Sequence, residues 1–396
     1  MKTVDNINFA DKKVLIRVDF NVPLNENFEI SDDSRITAAL PTINKILDDG
    51  GSVILMSHLG RPKDGPNPKY SLKHILQHLS KFLNTNVKFA DDCVGDIALK
   101  LANNLKAGEV LLLENLRFYK EEEKGDLQFA EKLSKLGNYY VNDAFGTAHR
   151  AHASTAVIAQ FFGEAKCFGY LMAKEIENAE KVMKNPARPF TAIIGGAKAG
   201  DKILILDNLM SVADNIIIGG GMSYTFVKAQ GGKIGNSLVE NDRLELTLQI
   251  LSNAQKNGVK IHLPQDSVIA DKFNNESNIK VAQSNEIPDG WMGLDIGPQA
   301  IENYKNIILQ SKTILWNGPM GVFEMQNFEN GTKQIALTLA EATNRGTFTL
   351  IGGGDSSAAI HKFKLEEKVS YVSTGGGALL EYFEGKILPG ISAIND

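Results

Sequence analysis

Arginine is scarce in this chain, eight residues against 34 lysines, so its placement carries information. Four of the five arginines before Leu171 stand at or just past the end of an apolar run, among small or turn residues. The segments are Ser34-Arg35-Ile36, His58-Leu59-Gly60-Arg61-Pro62, Glu114-Asn115-Leu116-Arg117-Phe118 and Gly146-Thr147-Ala148-His149-Arg150. Guanidinium groups gathered there with His58 and His149 suit carboxylate and phosphate, because the planar fork pairs bidentately with both. One such arginine alone reads as a solubilising or ion-paired surface residue, whereas four at strand ends read as an anion site. Asp19 and Asn21, in Arg17-Val18-Asp19-Phe20-Asn21-Val22-Pro23, close another run. An acid beside an anion site would serve hydroxyl groups; the plainer alternative is a turn-forming pair before Pro23.

The second half of the chain exchanges arginines for glycine clusters, each at the end of an apolar run and leading into a helical pattern: Gly195-Gly196-Ala197-Lys198, Gly219-Gly220-Gly221-Met222, Gly352-Gly353-Gly354-Asp355 and Gly375-Gly376-Gly377-Ala378. Glycine lets the backbone approach a ligand, and a following helix start offers unpaired N–H groups to phosphate. Four such turns point to a polyphosphate ligand such as a nucleotide. Gly195 to Lys202 has the glycine spacing of a Walker A loop but puts Asp201-Lys202 where Lys-Ser/Thr is required, and no cluster reads G-x-G-x-x-G. Lys198 and Lys202, four apart, could share one face of a helix start and point two ammonium groups at phosphate. Asp355 reads as a helix cap or, beside phosphates, as a Mg²⁺ ligand. Glu324, after the rigid Asn317-Gly318-Pro319 turn, could accept hydrogen bonds from ribose. His149-x-x-His152 lacks a nearby Cys or acid to complete a metal set.

These loops need a scaffold that ends several strands at one edge. Ten short apolar runs alternate with segments of helical period: 14–18, 53–56, 110–113, 139–141, 192–194, 215–218, 259–263, 313–316, 348–351 and 369–372. This predicts an α/β fold of mostly parallel sheets covered by helices, with ligands at the carboxyl ends of the strands. Ten strands exceed a typical sheet, so two sheets are expected, joined by the charged helical stretch 171–188, which ends in Asn185-Pro186-Ala187-Arg188-Pro189. The 43% hydrophobic and 22% charged composition is that of a globular chain, and a net charge of −5 argues against a dedicated nucleic-acid or membrane binder. Two cysteines, Cys93 and Cys167, are too few for a disulfide framework. The polar start and the lack of a bilayer-length apolar run predict a cytoplasmic protein.

Arg17 to Pro23 (RVDFNVP), Ser57 to Pro62 (SHLGRP), Glu114 to Phe118 (ENLRF), Asn142 to His152 (NDAFGTAHRAH), Gly219 to Phe226 (GGGMSYTF), Met292 to Pro298 (MGLDIGP), Trp316 to Glu324 (WNGPMGVFE) and Ser373 to Ala378 (STGGGA) occur in one order across nearly the whole chain. In this the sequence resembles the phosphoglycerate kinase family. The resemblance implies reversible transfer of the acyl phosphate of 1,3-bisphosphoglycerate to Mg·ADP, giving 3-phosphoglycerate and ATP, by a monomer of two Rossmann-like three-layer domains joined by an interdomain helix and hinge. Residues 1–170 would form the phosphoglycerate-binding domain, with 382–396 returning to it; 171–188 the connector; and 189–381 the nucleotide-binding domain.

It further implies that Asp19, Asn21, Arg35, His58, Arg61, Arg117 and Arg150 hold the glycerate. The nucleotide would fall to Gly195, Lys198, Lys202, Gly220, Gly293, Leu294, Asn317, Val322, Glu324, Gly353, Gly354, Asp355 and Ser356, with Mg²⁺ on Asp355. Arg35 and Lys198, completed by the helix starts at Gly352 and Gly376, are the expected catalytic cage. Ala199-Gly200 stands where the family more often has Val-Ser, a change that removes no charged group. An NAD-dependent dehydrogenase would fit the α/β pattern but not the missing fingerprint glycines, and a non-catalytic two-lobed binder would not need the glycine and lysine set.

Overall fold

Val, Ile and Leu runs with no polar alternation bury both faces, which places them inside a parallel sheet covered on each side. A computed structural model describes residues 1–63 and 65–395 and divides the chain into two units: Met1–Glu177 with the last stretch from Ile387, and Asn178–Lys386.

In the first unit β1 (Lys13–Val18), β2 (Ser52–Met56), β3 (Lys88–Ala90), β4 (Val110–Leu113), β5 (Tyr139–Asp143) and β6 (Lys166–Phe168) pair in parallel in the order β3-β4-β2-β1-β5-β6. The chain first builds outward from β1 through β2 and then jumps to β5, so loops diverge at the β1/β5 switch point and open a crevice there. The helix Ser34–Asp48 buries Ile36, Ala39, Ile43 and Ile46 at three- and four-residue spacing, which seats it on the sheet and sets Arg35 at its first turn.

The second unit runs β7 (Phe190–Ile194), β8 (Asn215–Ile218), β9 (Lys233–Ile234), β10 (Lys260–His262), β11 (Asp266–Ala270), β12 (Ile279–Gln283), β13 (Glu286–Ile287), β14 (Met292–Ile296), β15 (Thr313–Asn317), β16 (Phe348–Ile351) and β17 (Tyr371–Val372). Its main sheet is parallel in the order β10-β8-β7-β15-β16-β17, with the switch between β7 and β15. Beside it lie an antiparallel β12-β11-β14 sheet and a β13-β9 pair.

All ten predicted runs fall on strands of the two large sheets. Missing from the sequence reading were β3 and β6, three residues each, and the antiparallel sheet, whose β12 is largely exposed. Lys198 and Lys202 do not share a helical face. Residues 195–199 are irregular, a 3-10 turn covers Gly200–Lys202, and the α-helix begins only at Ile203, because the glycines on either side favour turns over helix. No described helix is long and apolar enough to cross a membrane.

The helix Tyr170–Met183 carries the chain out of the first unit. Its start is held by Asp143 at the end of β5, whose Oδ1 accepts from the Met172 amide at 3.1 Å while its Oδ2 accepts no hydrogen bond. Burial outweighs the bonds from Thr42, Met172 and Leu171 and lifts this carboxyl to about 6. A raised carboxyl costs stability above its folded value, and the cost is relieved as pH falls through that value toward the unfolded one. From 3.8 to about 6 this amounts to roughly 3 kcal/mol. Asp143→Asn should therefore gain melting temperature over the wild type at pH 8, and the gain should shrink steadily toward pH 4; a gap independent of pH would count against a charged Asp143 at neutral pH.

The chain end returns to the first unit as the helix Pro389–Asn395. The Gly390 amide donates to the Ala148 carbonyl at 2.8 Å, Asn142 Nδ2 donates to the Gly390 carbonyl at 3.1 Å, and Lys166 Nζ donates to the Ala393 carbonyl at 2.8 Å. Tyr382 to Lys386 stay with the second unit.

Candidate active site

At the carboxyl edge of the first sheet, Arg35 Nη1 donates to Asp19 Oδ2 at 2.6 Å. The Asn21 amide donates to Asp19 Oδ1 at 3.2 Å, and Asn21 Oδ1 accepts from the Gly60 amide at 2.7 Å, so the loops after β1 and β2 brace each other. Arg117 joins from the loop after β4. The Asn115 side chain caps its 3-10 turn, and Arg117 Nη1 donates to the Gly60 carbonyl at 2.9 Å. Arg150 follows β5 and its Nε donates to His149 Nε2 at 3.1 Å. Arg61, next to Gly60, is exposed.

The electrostatics are one-sided. Burial would raise the Asp19 carboxyl, but Arg35 and Arg17, with the Asn21 amide, hold it below its ordinary value. Burial drives His58 well below the usual imidazole value, and Arg17, Arg117 and Arg35 add to this against Asp19. Burial, with Arg17, Arg117, Arg150 and His149, pushes His152 down to about 4. The result is a guanidinium cluster with neutral imidazoles around one ionised carboxylate, a setting suited to anionic oxygen.

In the second unit a cavity of about 470 Å³ opens at the carboxyl edge of its sheet. Gly196, Gly220, Gly293, Leu294, Val322, Glu324 and Asp355 line it, together with Tyr224, Leu238, Phe273 and Met320, which the sequence reading missed. Tyr224 and Met320 stand within the segments GGGMSYTF and WNGPMGVFE, which could have flagged them, whereas Leu238 and Phe273 belong to no motif and nothing in the sequence marks them. Glycine is required where loops meet backbone to backbone: a Cβ on Gly318 would lie 2.2 Å from the Gly195 carbonyl oxygen, at φ +95°. Close packing alone excludes a side chain at Gly293, where a Cβ would sit 1.8 Å from Tyr224 Oη. A larger groove of about 870 Å³, along Lys233 and Asn285, touches none of the four glycine loops.

The remaining residues of the sequence reading brace this edge. Lys202 Nζ donates to Asn317 Oδ1, and burial lowers its ammonium against Asp201, Asp355 and Glu384. Asn317 Nδ2 donates to the Gly352 carbonyl at 2.7 Å, and Ser356 Oγ accepts from the Gly318 amide at 2.6 Å. The Gly352 N–H donates to the Trp316 carbonyl at 2.9 Å, so amides offered to a phosphate come from the residues after it. Gly353 and Gly376 are the N-cap residues of the helices Gly354–Lys362 and Gly377–Phe383. Asp355 therefore lies in the first turn rather than at the cap, exposed beside the cavity, and Lys198 is exposed. The described residues include no group of three His, Cys, Asp or Glu able to hold a metal. A single hard carboxylate fits Mg²⁺ shared with ligand phosphates, not a cage made by protein alone.

The family model described as phosphoglycerate kinase matches residues 4–386. The phosphoglycerate kinase of Porphyromonas gingivalis is 54% identical, over 99% of this chain and 99% of its own length. A cytosolic one from Nicotiana tabacum is 52% identical over 100% and 99%. Among solved structures, phosphoglycerate kinase from Coxiella burnetii superposes with a TM-score of 0.92 at 39% identity, covering 99% of this chain and 98% of that one. A guanidinium-lined sheet edge, a glycine-lined cavity and this agreement along the full length lead to one conclusion: the chain belongs to the phosphoglycerate kinase family.

Proposed function

We propose that the two units divide the substrates of this reaction between them. The chain is a phosphoglycerate kinase, transferring the acyl phosphate of 1,3-bisphosphoglycerate to ADP and, in reverse, the γ-phosphoryl group of ATP to 3-phosphoglycerate. Asp19, Asn21, His58, Arg61, Arg117 and Arg150 take the acid phosphate, and the second unit takes the nucleotide. The base lies against Leu294, Val322 and Phe273, ribose bonds to Glu324, and the phosphates lie along the glycine loops toward Lys198, Lys202 and Asn317. The observation that carries this division is chemical: guanidinium groups converge on one sheet edge, and a largely apolar, glycine-walled cavity opens at the other.

The acceptor is a carboxylate, already ionised at neutral pH, so no general base is needed. The site's task is positioning and neutralising charge on the phosphoryl group in flight. Arg35 and Lys198 clamp that group, and the first-turn amides at 353–356 and 376–377 add donors. Mg²⁺ held through Asp355 would supply charge neutralisation on the nucleotide phosphates. We place the phosphoglycerate domain at 1–170 with the chain end from Ile387, the connector at 171–188 and the nucleotide domain at 189–386, in a cytoplasmic monomer.

Substrates held on separate domains must be brought together, and water must be kept from an acyl phosphate, so the reaction requires closure hinged at the connector. Small-angle scattering should show a smaller radius of gyration when 3-phosphoglycerate and Mg·ATP are both present than with either alone, alongside turnover in a coupled assay. An unchanged radius in the ternary complex would count against the hinge, and absence of turnover against the whole reading.

A further inference from the structure

Arg17 is the arginine that the anion site leaves unused. It sits inside β1 with only 1% of its surface exposed, and an unassigned charge at that depth needs a reason. Its guanidinium is spread over three partners. Nε donates to Ser154 Oγ at 2.9 Å, Nη1 donates to the Val18 carbonyl, and Nη2 meets His58 Nδ1 at 3.2 Å. Behind it, the Ser154 hydroxyl and amide both donate to the buried carboxylate of Glu122. Donation thus spreads outward from the guanidinium, through the serine hydroxyl to the carboxylate on one side and to the imidazole on the other.

A guanidinium has donors and no acceptor. Whatever sits opposite Nη2 must present a lone pair, so His58 Nδ1 carries no proton. A doubly protonated ring is excluded by the same contact, since both of its nitrogens would donate. We infer that Arg17 is a positioning residue that fixes His58 as the neutral tautomer with its proton on Nε2, so that the ring donates a hydrogen bond to the acid phosphate. The inference rests on the reading of His58 as a substrate contact. With the other tautomer the ring would aim a lone pair at an anion, and the surrounding arginines would gain nothing from it. The charges that bear on the ring, Arg17, Arg35 and Arg117 with Asp19 opposing, favour the neutral form, as burial does.

The test begins on the intact protein labelled with ¹⁵N-histidine, the His58 signals being assigned by their loss in His58→Asn. The expected spectrum has Nδ1 unprotonated, Nε2 protonated and no titration between about pH 5 and pH 8, the range in which an ordinary histidine changes charge. In Arg17→Met the ring should exchange between tautomers or begin to titrate. KM for 3-phosphoglycerate should rise about 10-fold or more, the loss of one charge-assisted hydrogen bond, while KM for ATP stays put. Should Arg17→Met not fold, Ser154→Ala frees only Nε and should give the same change in part. A wild-type ring protonated on Nδ1, or a tautomer indifferent to these substitutions, overturns the inference. A tautomer that changes while KM for 3-phosphoglycerate does not would instead show that His58 is no substrate contact, and the positioning role falls with that reading.

Discussion

Arg35→Ala is expected to lower kcat at least ~100-fold while KM for ATP stays within a few-fold of wild type, the pattern left by removing one transition-state donor. The side chain suits that role because it is tethered without being buried. It pairs with Asp19 at 2.6 Å, yet 38% of the side chain is exposed. Its partner Asp19 is only 11% exposed, so the variant should also lose some melting temperature, and kinetics measured well below that temperature isolate the catalytic loss. Arg35→Lys should recover only part of the rate, since a compact ammonium lacks the planar fork that could pair with Asp19 and a phosphoryl oxygen together. The deciding measurement is steady-state kinetics with each substrate varied in turn. Damage confined to nucleotide affinity would show that Arg35 belongs to a different step.

For Asp355→Asn the expected result is a Kd for Mg·ADP weaker by about 10-fold to 100-fold, with 3-phosphoglycerate binding untouched. Asparagine keeps the shape and the helix position, and the lost first-turn charge costs the helix only about 0.3–1 kcal/mol. The metal dependence is the sharper criterion. Without Mg²⁺ a carboxylate beside phosphates is repulsive, so the same variant should bind free ADP as well as the parent or better. Calorimetric titrations with and without Mg²⁺ separate the cases. Equal weakening in both would mean that Asp355 shapes the turn and holds no cation.

The sequence revealed most where physical demands repeat. The ten runs are legible because strands of a covered sheet are built mostly from Val, Ile and Leu, even though β1 admits Arg17 and the edge strand β10 admits Lys260 and His262, and the arginines because a guanidinium at a strand end has few structural uses. The rest was hidden for particular reasons. Strands of three residues such as β3 and β6 carry too few positions for any period to register. Lys198 and Lys202 have helical spacing, yet glycines on both sides hold the chain in turns until Ile203. Tyr224 and Phe273 reach the cavity from separate segments that only the folded second unit brings together. Arg17 lies within a motif that was read, but its work is done inward, toward Ser154 and Glu122, and a buried network cannot be inferred from neighbours in sequence.

The helix Pro389–Asn395 sits on the loop after β5, nearly 250 positions downstream of its partner Asn142. On the ribosome, the first unit therefore waits with an open seat while Asn178–Lys386 is synthesised, and only the segment from Ile387 can fill it. The unit begun first thus cannot complete its packing until every residue of the other has been made, so the order of synthesis and the order of completion are not the same.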